Sequence, residues 1–181
     1  MSDYKRSDST NIGEYIESQQ LAVEIAQLGG RVSLIVQLTG LSERLARTIV
    51  EELTGVTQRK GKRPYSLDSF LITTSSFLQA TVLVKLYKSY QKMGLTHARS
   101  FLESYREFNR IYQGNVTINI DEWGVVSKHL ENKATLTLVA CNVCHMEVLK
   151  KPGRIDPCPS CTQLSFKTDK MPVRRRNANR F

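Results

Sequence analysis

Cys141, Cys144, Cys158 and Cys161 are the residues of this chain best suited to do chemistry, because they stand as two Cys-x-x-Cys pairs in the pattern C-x2-C-x13-C-x2-C. Thiolates two residues apart on a turn converge on one ion. Two such turns supply the closed tetrahedron that structural zinc prefers, with Zn–S near ~2.3 Å. Pro152, Gly153, Pro157 and Pro159 divide the intervening chain into turns. The expectation is one structural Zn2+ per chain, held by all four cysteines and ordering a small hairpin. Redox-active or incidental buried cysteines are the alternative, and the regular pairing argues against them. An enzyme reading competes for the same segment. His145, Met146 and Glu147, followed by Pro157, Cys158, Pro159, Ser160 and Cys161, match the H-x-E and P-C-x-x-C parts of zinc deaminases. In that chemistry the histidine is a ligand and one coordination position stays open to water, whereas here Cys141 and Cys144 close the shell. The interval is also too short for the helix and strand that normally separate the two parts. The segment therefore reads as non-catalytic.

The second set of candidate residues is cationic. Twenty-six Lys and Arg against 17 Asp and Glu give a formal charge of +9 and a pI near 9.5. That balance favours a polyanionic partner but can equally serve solubility, so position has to decide. Residues 31–53 have the shape of a helix-turn-helix: a short apolar helix, a turn containing Gly40, and an amphipathic helix whose outward face carries Glu43, Arg44, Arg47 and Thr48. Arg31, Arg44 and Arg47, the basic loop Arg59, Lys60, Lys62 and Arg63, and the tail arginines Arg174, Arg175 and Arg176 are the expected contacts to double-stranded DNA. Phosphate contacts supply affinity and salt dependence, and arginine on a base edge supplies choice. An ordinary helical hairpin with solvated charges is the competing reading.

These residues need elements to position them. Leu21, Ile25 and Leu28 recur at helical spacing before Gly29 and Gly30 interrupt; Val32, Leu34, Ile35 and Leu38 mark a second short helix. Ser42 reads as an N-cap for a third, with Leu45, Ile49, Val50 and Leu53, ended by Gly55. Pro64 ends the basic loop. A long helix is predicted from about Leu67 to Met93, with Leu67, Leu71, Leu78, Val82, Leu86, Tyr90 and Met93 in one stripe, widened by Phe70, Phe77 and Val84, and Gly94 as its stop. So broad an apolar face serves either the centre of the core or a second chain. Thr96 caps another helix with an aromatic stripe at Phe101, Tyr105, Phe108 and Tyr112, read as core. Asp121, Glu122 and Trp123 open a helix to about Leu130, Trp123 being a core anchor, and 135–139 alternates as a strand running into Cys141.

The fold class is mainly α: a multi-helix domain with a helix-turn-helix-like segment plus a small C-terminal four-cysteine, zinc-ribbon-like hairpin. The expected organisation is a flexible arm over 1–16, a helical domain over 17–132, a zinc-binding region over 133–166 and a basic tail over 167–181. The polar N-terminus lacks a secretory signal, and no stretch approaches the ~20 apolar residues of a membrane span, so a cytoplasmic protein without membrane contact is expected.

From about Ser18 to Cys161 the chain resembles the FlhC family, the flagellar transcriptional activator subunits and their relatives on conjugative elements. The resemblance rests on the opening helix QLAVEIAQLGGRVSLI, on Leu41, Ser42 and Leu45, on the KGKRPYSLDSFL junction from Lys60 to Leu71, on a helical block ending at Gly94, and on the two cysteine pairs. From Thr96 to Leu130 only the helical pattern agrees, and the chain is shorter at its C-terminus than the flagellar subunits. The resemblance implies an activator that works in a hetero-oligomer, a heterohexamer, with a smaller FlhD-like subunit, and that recruits RNA polymerase at flagellar or conjugative-transfer promoters. It also carries the four cysteines over as zinc ligands. The alternative of a different class is a non-catalytic adaptor, in which the broad apolar helix binds a partner and the hairpin is scaffold.

Overall fold

A computed structural model describes residues 12–55, 73–131, 136–150, 158 and 160–162. Helix α1 (Ile12–Gln27) begins inside the expected arm. Residues 12–16 are helical and exposed, because a helix once nucleated on its buried Leu21, Ala22, Ile25 and Ala26 extends at little cost through residues with little burial of their own. Gly29 at φ 83° turns the chain, and Gly30 follows so close to Ile25 that a Cβ there would stand 2.4 Å from its Cγ2. Helix α2 (Val32–Thr39) buries Val32, Leu34, Ile35 and Leu38, the four residues its period singles out. Gly40, at φ 69°, ends it in the left-handed conformation. Helix α3 (Glu43–Thr54) starts on the Ser42 cap, whose Oγ accepts from the Leu45 amide at 3.3 Å. It buries Ala46 and Val50; Leu45 and Ile49 are half-buried and Leu53 is exposed.

The long helix departs from expectation at both its start and its face. Thr73 is extended (φ −85°, ψ 151°) and its hydroxyl accepts from the Ser76 amide at 3.1 Å, so helix α4 runs Thr74–Lys92. Leu67, Phe70 and Leu71 lie outside the described residues. The buried side is Ser76, Gln79, Ala80, Thr81, Leu83, Val84 and Tyr87, while Leu78, Val82, Leu86 and Tyr90 are half-exposed and Met93 is 69% exposed. A shift of two residues is roughly 200° around a helix. The small side chains Ser76, Ala80, Thr81 and Val84 let neighbouring elements approach closely, and closeness outweighs the larger apolar surface on the other side.

Helix α5 (His97–Tyr112) packs along α4, capped by Thr96, and helix α6 (Ile120–Glu131) closes the body. Phe101 stacks on Trp123 (centroids 5.6 Å, 11° between planes), Tyr87 meets Trp123 edge-on at 5.8 Å, and the indole N–H donates to the Phe101 carbonyl at 3.2 Å. Of the aromatic stripe, Phe101, Tyr105 and Phe108 are buried and Tyr112 half-buried. Gln79 seals the loop before α6: its amide donates to the Asn115 carbonyl, and its Oε1 accepts from the Thr117 amide and hydroxyl. Glu24 of α1 pairs with Arg106 (2.8 Å) and Arg99 (3.2 Å) of α5. Strands β1 (Thr137–Ala140) and β2 (Glu147–Lys150) form an antiparallel hairpin in the register Thr137↔Lys150 to Ala140↔Glu147. Leu149, fully buried, carries β2 onto α4, where its amide donates to Thr81 Oγ1 at 3.3 Å.

Candidate metal centre and nucleic-acid interface

The tip of the β1–β2 hairpin is the first cysteine turn. Cys141 accepts at its carbonyl from the His145 amide and donates its own amide to the Met146 carbonyl, both at 2.9 Å, which folds residues 141–146 into a tight knuckle. That knuckle needs a left-handed residue, and His145 supplies it at φ 58°. Cys158 and Cys161 come from the second turn: the Thr162 amide donates to the Cys158 carbonyl at 3.0 Å, and residues 160–162 are helical. The four Sγ atoms lie within 4.8 Å of one another, with Cys144–Cys158 at 3.8 Å and Cys141–Cys161 at 4.0 Å. A tetrahedron with ~2.3 Å Zn–S bonds has edges of ~3.8 Å, so the four cysteines could hold a metal ion of that size.

The four thiols are not alike in their protonation. Amides donate to Cys141 Sγ, from Cys158 at 3.3 Å and Val143 at 3.5 Å. Hydrogen bonding from the backbone of Cys144, Cys158 and Val143 draws the Cys141 thiol down to about 6. Cys161 is pushed the other way, to about 12, by hydrogen bonds with Cys144 and Cys158 and by burial. Four sulfurs this close ionise together only when a cation shares their charge, and a coordinating thiol gives up its proton outright. His145 stands outside the ligand group, which consists of the four thiols. The deaminase arrangement, with histidine as ligand, is not what this segment builds.

The helix-turn-helix is present as α2, the turn Gly40, Leu41 and Ser42, and α3. Its cations have unequal freedom. Arg31 is the N-cap residue of α2, and Asp121 of α6 takes both its amide (3.1 Å to Oδ1) and its guanidinium (3.2 Å to Oδ2). This pairing across ninety positions had no sequence signal. Arg47 is held by Glu43, with Nη2 at 2.5 Å and Nε at 3.2 Å from Oε1. Arg44 is exposed and makes no ion pair among the described residues. Glu51 and Glu52, both exposed, limit the cationic surface of α3 to its first two turns. Arg59, Lys60, Lys62, Arg63, Arg174, Arg175 and Arg176 lie outside the described residues.

Fold and site together define a mainly helical protein with a helix-turn-helix-like segment and a four-cysteine cluster that could hold a metal ion. Residues 8–169 match the family model described as the flagellar transcriptional activator FlhC, and the chain belongs to that family. Among curated relatives it is 32% identical over 97 residues to the flagellar transcriptional regulator FlhC of Cupriavidus pinatubonensis, covering 53% of this chain and 46% of that one. It is 31% identical over 103 residues to the protein of the same name from Paraburkholderia atlantica, covering 56% and 45%. The chain thus spans about half the length of the curated relatives it matches. Among the described residues no helix is long and apolar enough to cross a membrane.

Proposed function

We propose that this chain is a DNA-binding subunit of a cytoplasmic transcriptional activator, working in a heterohexamer with an FlhD-like partner and bringing RNA polymerase to flagellar promoters or, on a mobile element, to transfer promoters. The observation that carries this reading is the family match over 8–169, which takes in the helix-turn-helix and all four cysteines. One structural Zn2+ on Cys141, Cys144, Cys158 and Cys161 orders the β1–β2 hairpin against the helical body. Arg44, exposed at the start of α3, is the cation most ready to meet a base edge, with the basic loop and tail on phosphates. Arg31 and Arg47 meet DNA only by sharing or leaving their carboxylate partners.

Glu51 and Glu52 favour a second reading, in which α3 faces a protein and the chain is an adaptor. Immunoprecipitation of the protein from its native cells, with sequencing of the recovered DNA, separates the two. Discrete promoter peaks support the activator and name its genes. No enrichment with the partner present supports the adaptor.

A further inference from the structure

We infer that Cys144 is an oxidation site, the sulfur at which a hydroperoxide enters the four-cysteine cluster, with Cys158 as the residue that closes a disulfide on it. The inference rests on the metal-bound reading above and deepens it. The four sulfurs share one site but differ in access. Cys141 and Cys158 are buried at 0% and 2% exposure and Cys161 is half-buried, whereas Cys144 is exposed. Its neighbours on the knuckle are open as well: Val143 is 59% and Met146 62% exposed. Cys141 is further guarded by the Val143 and Cys158 amides that donate to its sulfur and draw on its electron density. Oxidation follows thiolate character and exposure together, and coordination makes all four sulfurs thiolates, so access selects Cys144.

The chemistry balances with one hydrogen peroxide. The Cys144 thiolate attacks one peroxide oxygen, the O–O bond breaks, and hydroxide leaves, giving a sulfenic acid. The Cys158 thiolate, 3.8 Å from Cys144 Sγ, then attacks that sulfur. An S–S bond forms at about 2.05 Å as the S–O bond breaks. A second hydroxide departs, and both hydroxides take up protons as water. Two thiolates have lost two electrons and the peroxide has gained them. Two of four ligands are consumed, and the two remaining, Cys141 and Cys161, no longer enclose an ion.

The test uses the full chain, purified reduced. A chromophoric chelator reads released zinc during titration with hydrogen peroxide, while peptide mass spectrometry maps disulfides and a sulfenate trap marks the first sulfur oxidised. Release in step with a Cys144–Cys158 disulfide, with trapping at Cys144, is expected. In Cys144→His, measured on the fraction of chains that carries zinc, hydrogen peroxide should release it at least ~10-fold more slowly than from the native chain. Trapping first at another cysteine, or methionine sulfoxide at Met146 accompanying release without the disulfide, overturns the inference and leaves the metal reading intact. A reduced chain that carries no metal overturns both.

Discussion

The helical body and the cysteine hairpin are held together by different physics. The body has one connected core running from Leu21 of α1 through Ile35, Leu83 and Phe101 to Trp123 of α6, with layers of buried apolar side chains on every helix. The hairpin lends Leu136 and Leu149 to that core, with Leu138 against it, but its tip keeps a separate small cluster of Cys141, Val148 and Cys158 beside Phe77 of α4 and Cys161, and its two strands have four residues each. An isolated two-stranded hairpin is marginal in water, so the strands lean on their docking to α4, and the tip that carries the cysteines has little burial of its own. Burial holds the first region; at the tip of the second, the proposed zinc on its four sulfurs would supply what burial does not. Removing the metal and removing a core side chain should therefore affect different halves of the molecule.

The largest effect is expected from metal loss. Structural zinc sites contribute about 10–16 kcal/mol of apparent binding free energy. Cys158→Ser, or exhaustive chelation of the native chain, should release the ion, unfold residues 136–150 and abolish DNA binding. The far-UV helical signal should stay largely intact. Hydrogen exchange checks this region by region: fast exchange confined to the hairpin sustains the contrast, and collapse of α1–α3 as well would show that the body leans on the metal. The converse experiment is Trp123→Ala. Emptying the fully buried indole site, with its stack on Phe101 and its hydrogen bond, should cost about 3–5 kcal/mol of body stability in denaturant melts. Metal stoichiometry below the transition should be unchanged.

The two regions also differ in how much of them can be read from the chain. The cysteine cluster is local chemistry: two Cys-x-x-Cys turns announce a candidate ligand set, and the structure brings all four thiols together. Helix starts and stops are local too, which is why Ser42, Thr96, Gly40 and Gly55 fall where their types place them. The buried side of α4 is not local. Apolar residues surround that helix, and the choice between the Leu78–Val82–Leu86 side and the Ala80–Val84–Tyr87 side is made by α5 and β2 packing on it. The Arg31–Asp121 pair and the Gln79 bonds to residues 115 and 117 are hidden for the same reason, since each joins segments far apart in sequence. Charge on α3 was legible as composition, but not which arginine is tied down.

A smaller effect separates the body by pH. Burial pushes the Tyr105 phenol up to about 12, with its hydroxyl donating to the Ile118 carbonyl at 3.3 Å. The folded state holds this proton more tightly than the unfolded state does. Its contribution is fully present below the ordinary phenol value of ~10 and is lost as pH rises through about 12. Allowing for partial solvent screening, the loss is on the order of 1–2 kcal/mol. Tyr105→Phe removes the titrating group, so the stability difference between the two proteins should shrink by that amount between pH 9 and pH 12. A constant difference would place the ionisation outside the folding equilibrium.

The smallest effect lies at the joint between the regions. Thr81 accepts the Leu149 amide of β2 at 3.3 Å and donates its own hydroxyl to the Phe77 carbonyl of α4 at 2.9 Å, in a contact otherwise made by apolar packing and the loose Lys85–Glu147 pair at 4.0 Å. Thr81→Val keeps the branched shape but leaves the Leu149 amide without its acceptor, a loss of about 1 kcal/mol. On the proposed zinc site, metal binding and hairpin docking would be one equilibrium, and that penalty should then appear as roughly fivefold weaker zinc affinity in chelator competition. The melting of the helical body should barely move, since its own Phe77 carbonyl keeps its helical hydrogen bond whether or not Thr81 adds a second. If instead the melt falls and zinc affinity holds, Thr81 serves α4 alone, and the hairpin stands on its sulfurs without help from the body.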